Sequence, residues 1–147
     1  MVNKTIKFEI VTPERVVLTQ EILQISLPTT SGEITVLPDH IPLISILKPG
    51  VIEIKLLDNS LEIISVSGGF IEVMPDKVVI LADTAERAEE LNEEQIREAQ
   101  ERAEKLKEDM RNIDDVQFTA VAAKLEKELA RLRAVNRWRK LRGIDSK

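Results

Sequence analysis

The sequence has no cysteine and no tyrosine, and it holds one histidine, one tryptophan and three phenylalanines among 147 residues. Without cysteine there is no disulfide, no thiol nucleophile and no thiolate zinc site, a usage that suits a reducing compartment. With His40 alone, a histidine-based metal centre has too few ligands, and neither a metal nor a cofactor is expected. A Ser-His-Asp device would have to use the same residue. It lies in Leu37-Pro38-Asp39-His40-Ile41-Pro42, a turn without a nucleophile elbow. The expected role of His40 is a hydrogen bond in that turn or a partner contact. No GxxxxGK[ST] loop occurs, and Ser67-Gly68-Gly69 is too short to cradle phosphates, so it reads as a tight turn or bulge. Carboxylates are plentiful, but nearly all fall at outward strand positions or on helix surfaces. These absences leave no catalytic constellation, and the chain is expected not to be an enzyme.

No run of about 18 apolar residues exists, so no helix is expected to cross a membrane. Met1-Val2-Asn3-Lys4 leads straight into an alternating segment, with neither the apolar stretch nor the cleavage site of a signal peptide. The expected place is the cytosol or a surface facing it. The formal charge of −5 makes the chain a poor non-specific binder of nucleic acid. Aromatics are 3% and hydrophobic residues 43%, so the core must be aliphatic.

What is present divides near Ala82. Before it the hydrophobic period is two. Ile6, Phe8 and Ile10 alternate with Lys7 and Glu9, and Ile52, Ile54 and Leu56 with Glu53 and Lys55. The spacing predicts strands over 4–12, 14–19, 21–27, 33–37, 42–47, 51–58, 61–67, 70–74 and 77–82. All six prolines and four of the five glycines punctuate this half, the pattern of an antiparallel sandwich or barrel. After Ala82 there is no proline, and Gly143 is the only glycine. Asn92 is a good N-cap with Gln95 placed for a capping box. The first helix carries Ile96, Ala99, Ala103, Leu106 and Met110 on one stripe. A second, after the polar turn Asn112 to Asp115, carries Phe118, Ala122, Leu125, Leu129 and Leu132. The expected fold is therefore α+β: a β-sandwich over 1–84 and an antiparallel two-helix hairpin over 85–147.

Charge is segregated. Segment 82–115 has 13 acidic and 6 basic residues, net −7, whereas 131–147 has five Arg, two Lys and one Asp, net +6. Arg131, Arg133, Arg137, Arg139 and Arg142, with Trp138 among them, compose either a cationic helix end suited to the helix dipole or a docking surface for an acidic protein. Nucleic acid and anionic lipid fit such a short patch less well. A helix pair of this size is marginal in water, so it must dock on its own sandwich or on a partner. An element with two docking sites is what a conformational switch requires.

Ser31-Gly32-Glu33-Ile34-Thr35-Val36-Leu37-Pro38-Asp39-His40-Ile41-Pro42-Leu43, then Leu47-Lys48-Pro49-Gly50, resembles the signature of the ATP synthase epsilon family (delta in mitochondria). Phe8-Glu9-Ile10-Val11-Thr12-Pro13, Ser67-Gly68-Gly69-Phe70-Ile71-Glu72-Val73 and Val78-Val79-Ile80-Leu81-Ala82-Asp83 resemble it too, in an order that holds from about residue 4 to 140. The resemblance implies a non-catalytic subunit of the proton-translocating enzyme's central stalk, peripheral to the cytoplasmic face of the plasma membrane. It implies a sandwich that binds the gamma subunit and the c-subunit ring, and a hairpin that inhibits ATP hydrolysis by reaching the alpha and beta subunits. Glu33 and His40 match partner-facing positions, and Gly68, Gly69 and Phe70 match a structural turn. Thr35 and Asp39 stand where the family often has glycine. Asn92, Arg102 and Arg131 fall where some members bind ATP. However, the family's Ile/Leu-Asp-x-x-Arg-Ala motif reads Leu91-Asn92-Glu93-Glu94-Gln95-Ile96 here. Loss of the motif's Asp and Arg implies weak or absent ATP binding. A stand-alone nucleotide-sensing module is the alternative.

Overall fold

A computed structural model describes residues 4–144. Ten strands come first: β1 Ile6–Val11, β2 Val16–Ile22, β3 Gln24–Thr29, β4 Gly32–Val36, β5 Leu43–Leu47, β6 Gly50–Lys55, β7 Leu61–Val66, β8 Gly69–Val73, β9 Lys77–Ala82 and β10 Ala85–Arg87. A short 3-10 turn at Ala88–Glu90 leads to helices α1, Glu93–Asp109, and α2, Asp115–Leu141. Asp145 and Lys147, counted in the basic segment, lie outside the described residues, as do Met1 to Asn3.

The hydrogen-bonded path runs β10-β7-β6-β3-β5-β8-β9-β1-β2, with β4 paired to β3. It folds over where a single pair, Thr29 with Leu47, joins β3 to β5. Two layers result, and the alternating residues of both meet between them. Ile6, Phe8, Ile10, Ile25, Leu27, Ile52, Ile54, Ile71, Val78 and Ile80 are all buried in one cluster. That is the aliphatic core the composition requires, with Phe8 its one aromatic. Every pairing is antiparallel except β1 with β9, which runs parallel with Phe8 opposite Val78. Alternation alone carries no strand direction, so the sequence could not show this pair. Strand β10 pairs with β7 from Ala85 to Arg87. The sheet thus continues three residues past the expected boundary at 84.

The helices begin as the sequence dictates. The Asn92 side chain accepts from Gln95 N at 2.9 Å, and Gln95 Oε1 accepts from Asn92 N at 3.0 Å. Asp114 caps α2 by accepting from Gln117 N at 3.0 Å. Gly143, at φ 68, ends α2, and Ile144 N donates back to Arg139 O at 2.9 Å. On α1, Ile96, Ala99 and Ala103 are buried as expected. On α2 the stripe differs. Leu125 is buried, but so are Glu128, Ala130, Ala134 and Val135, while Phe118 is exposed. The reason is that α2 packs on two neighbours, α1 and the sheet strands β6 and β7. A single hairpin stripe describes only the first.

Gly68 and Gly69 sit where the chain turns into β8, at φ 123 and 141. A Cβ on Gly69 would lie 2.1 Å from the Leu81 carbonyl oxygen and 2.8 Å from Ala82 Cα, both backbone. Phe70 is within β8 rather than in the turn. Asp39, at one of the positions where glycine is frequent, holds φ 66, so the loop keeps a glycine-like backbone. Replacing Gly69 by Ala must open the β8–β9 pairing or distort the turn. Gly69→Ala is expected to cost about 3 kcal/mol in urea unfolding of the full chain. A loss below about 0.5 kcal/mol would show that the close approach is not real.

Candidate functional site

The outer face of the β6–β7 layer forms a dock for α2. Parity assigns the two faces of β7: Glu62, Ile64 and Val66 share the inner one, and Leu61, Ile63 and Ser65 the outer. Ile64 and Val66 join the sandwich core. Ile63 instead clusters with Ala88 and Ala134, and Val51 and Trp138 pack against them. Ala134 is small, so the helix axis comes close to the strand, and Trp138 covers the next turn. Full burial of Ile63 alone is worth roughly 2 kcal/mol.

Around this apolar seam the arginines of α2 find carboxylates. Arg131 makes a two-pronged contact with Glu86 of β10, Nε to Oε2 at 2.8 Å and Nη2 to Oε1 at 2.5 Å. Its Nη1 donates to Glu128 Oε2 at 2.8 Å, and Glu128 Oε1 accepts from Arg102 Nε of α1 at 3.0 Å. One connected network therefore joins the sheet, α2 and α1. Arg137 reaches Glu53 of β6 with two bonds of 3.1 Å, and Arg139 reaches Glu93 at the start of α1 at 2.6 Å. Burial opposes the charge of Arg131, but the hydrogen bonds and charges of Glu86 and Glu128 outweigh it and raise its pKa above the ordinary arginine value. The Glu53 hydrogen bonds and charge raise that of Arg137. Among the described residues, no buried side-chain polar atom lacks a hydrogen-bond partner.

Among the described residues, Glu62 and Glu128 are the buried carboxylates. Both depart from the expectation that carboxylates face water. Glu62 bonds Arg87 Nε, whose guanidinium also meets Glu89 and Glu90, and it accepts from Gln20 of β2 at 3.5 Å. Its parity with Ile64 and Val66 was the available signal.

The expected partner residues are dispersed. Glu33 lies exposed on β4, beside a hollow of about 470 Å3 that it shares with Ser26, Glu53, Arg133 and Arg137. His40 lies past the other end of β4, in a turn tied to the β8–β9 turn through Asp39 N and Pro75 O at 2.8 Å. Its Nδ1 donates to Ile41 O at 2.7 Å. The structure does not bring Glu33 and His40 together. Of the basic set, Arg131, Arg137 and Arg139 are engaged as described, and Arg133 contacts Glu126 at 3.3 Å. Arg142 lies over the Trp138 ring at 5.5 Å. The residues named for a nucleotide are engaged too: Asn92 is a helix cap, and Arg102 and Arg131 belong to the ion network. The hollow of about 380 Å3 beside them is lined by Arg15, Arg87, Arg102 and Arg131 but also by Glu86, Glu90 and Glu98. Each of those arginines pairs with a glutamate.

The opposite layer shows a feature that sequence reasoning missed. Ile46 pairs with Phe70, Phe70 with Leu81, Leu81 with Val11 and Val11 with Val16. This is one row across five strands on the outer face. Ile46, Phe70, Leu81 and Val16 are 52, 58, 57 and 56% exposed. Ile44 adds to it, two residues from Ile46 on the same face and 75% exposed. A contiguous apolar row of this kind marks an interaction surface. Its signal in the sequence was Ile44 and Ile46 at the outward positions of Leu43-Ile44-Ser45-Ile46-Leu47, where a half-buried strand would carry polar residues.

Comparison with known proteins agrees with this geometry. The family model of the ATP synthase Delta/Epsilon chain beta-sandwich domain matches residues 5–88. The ATP synthase epsilon chain of Moorella thermoacetica is 44% identical over 131 residues, 88% of this chain and 96% of that one. The ATP synthase epsilon chain of Herpetosiphon aurantiacus is 40% identical over 132 residues, covering 87% and 96%. A chain in the cryo-EM structure of the Euglena gracilis mitochondrial ATP synthase, OSCP/F1/c-ring, has a similar fold. Its TM-score is 0.74 at 22% identity, over 88% of this chain and 81% of that one. A chain of the Tetrahymena thermophila mitochondrial ATP synthase central stalk/c-ring aligns at TM-score 0.57 and 14% identity, over 94% and 98%.

The dock depends on a small residue at its centre. Ala134→Leu forces about three extra carbon atoms between α2 and Ile63 and is expected to cost about 1–3 kcal/mol of docking. Amide exchange along 130–141 should accelerate about tenfold or more while β1, β8 and β9 keep their protection. Uniform loss of protection through the chain would mean that α2 is not a separable docked element.

Proposed function

The chain belongs to the ATP synthase delta/epsilon family, and on that premise we propose how its two outer faces serve the central stalk. The row Ile46–Phe70–Leu81–Val11–Val16 is the face fixed to the rotor, against the gamma subunit. Glu33 and His40, at the two ends of β4, belong to separate contacts, with gamma and with the c-subunit ring. Exposed Leu37 and Ile41 flank His40 and extend its contact. In this arrangement the sandwich passes torque between the proton-driven ring and the catalytic head. The chain itself carries no catalytic step. No helix among the described residues is long and apolar enough to cross a membrane. The proposed location is therefore peripheral, with the complex at the cytoplasmic face of the plasma membrane.

The hairpin is the regulatory part. Docked, it spends Arg131, Arg137 and Arg139 on the chain's own glutamates. Undocked and opened into separate helices, it presents those arginines, together with Arg133, Trp138 and Arg142, to acidic surfaces of the alpha and beta subunits, and so blocks ATP hydrolysis. Long-range attraction steers such an arm, and close packing then holds it. The observation that carries this reading is the contrast between the two faces. One is exposed and apolar and is covered by none of the described residues, and the other is covered by an arm held in part through exchangeable ion pairs. A nucleotide-sensing role has less support, because Asn92, Arg102 and Arg131 are already engaged; ATP binding is expected to be weak or absent.

The test is ATP hydrolysis by a catalytic head carrying gamma, with the full chain or with a chain ending at Glu90. The full chain should lower hydrolysis several-fold, and the shortened one should bind without lowering it. If both bind and neither inhibits, the hairpin is not a brake. If both inhibit equally, the brake lies in the sandwich.

A further inference from the structure

The ion pairs of the hairpin fall into two sets. Among the described residues, Glu86–Arg131 and Glu53–Arg137 connect the arm to the sandwich, whereas Arg102–Glu128 and Arg139–Glu93 connect α1 to α2. Undocking the hairpin as a unit breaks only the first set, together with the contacts around Ile63. Opening it into separate helices breaks the second set as well. The two sandwich contacts also differ in surroundings. The Arg131 side chain is 14% exposed and shares Glu128 with Arg102, whereas Arg137 is 45% exposed and meets Glu53 alone. A pair shielded from water resists salt, and an exposed one is screened within a Debye length of about 8 Å at physiological ionic strength.

We infer that Glu86 is an internal ligand that latches the arm. Its carboxylate takes both prongs of the Arg131 guanidinium, so the docked state is held from within the chain and needs no bound anion. The inference rests on the proposed mobile arm but concerns what holds it rather than what it inhibits. Three observations support it. All three nitrogens of the Arg131 guanidinium are engaged, with Nε and Nη2 on Glu86 and Nη1 on Glu128. The adjoining hollow has its arginines paired with glutamates, leaving no excess positive field for a polyphosphate. The charge segregation of the sequence, −7 over 82–115 and +6 over 131–147, places the two halves of the latch in those segments. An anionic ligand would have to displace Glu86, and an acidic partner that captures the arm must offer carboxylates in exchange for Glu86 and Glu53.

The absence of native cysteine makes a direct test simple. Spin labels on Glu21→Cys and Lys124→Cys, both exposed positions, report the sandwich-to-arm distance in the full-length chain. Without substitution the short distance should dominate, and millimolar MgATP should leave the distribution unchanged. Glu86→Gln should raise the long-distance fraction at least about tenfold, because a charge-assisted two-pronged contact is lost. Arg137→Gln should raise it less than about threefold, and that increment should vanish at high salt. Glu86→Gln combined with Arg131→Gln should open the arm no more than Arg131→Gln alone. Should Glu86→Gln fail to fold, Arg131→Lys, which keeps the charge but loses the fork, carries the same test. An unchanged distribution in Glu86→Gln, additive effects in the double variant, or an arm that closes only when MgATP is added would each overturn the latch. None of these outcomes depends on whether the chain inhibits hydrolysis, so the two readings fail separately.

Discussion

Strand β7 is buried on both faces, and much of the architecture follows from that constraint. Its inner side chains, Ile64 and Val66, complete the core between the layers. Its outer Ile63 would lie in water if α2 did not cover it. Covering it obliges α2 to carry a second small, apolar line, Ala130 and Ala134, besides the side that meets α1. Docking also brings α2 within reach of β10 and β6, where Glu86 and Glu53 wait. Helix α1 is held in its turn through Glu128 and Arg102. Remove the fit between Ile63 and Ala134, and the arm keeps only its ion pairs.

Those ion pairs suit the arm to a switch rather than to a fixed appendage. Surface pairs contribute little to net stability, and they exchange partners readily because the alternative is water or another carboxylate. The Arg131 cluster is the exception, since Arg131 and Glu128 are shielded and Arg131, Glu128 and Arg102 each have a second partner. The result is a graded attachment: an apolar seam that sets position, a shielded cluster that latches, and exposed pairs that adjust with ionic strength. The opposite layer, proposed to face gamma, has no such layering. Its apolar row Ile46–Phe70–Leu81–Val11–Val16 suits permanent cover, and Gly69 lets β8 and β9 lie close enough to align it.

Much of this was legible in the residues. The change of period near Ala82 and the Asn92–Gln95 box mark elements that form as local chemistry dictates. What was not legible depends on which neighbour a residue meets. Three residues of β10 are too few to show a period, and the parallel pairing of β1 with β9 leaves alternation unchanged. The stripe on α2 was half right because a helix with two neighbours has no single apolar side. The basic segment read as a cationic helix end or a docking surface, yet nothing in its spacing could say that Arg131, Arg137 and Arg139 already meet Glu86, Glu53 and Glu93. Their partners lie 45, 84 and 46 residues away along the chain. Only the opposite sign of the two charged segments hinted at it.

The proposed brake requires the arm to leave its dock before it acts. Locking it there is therefore the most direct measurement. With no native thiols, Ile63→Cys and Ala134→Cys place one cross-link across the centre of the seam. The oxidised chain should still bind a catalytic head carrying gamma but should no longer lower ATP hydrolysis, and reduction should restore inhibition. Equal inhibition by the locked and unlocked chains would contradict the account, because the arm would then act without leaving the sandwich.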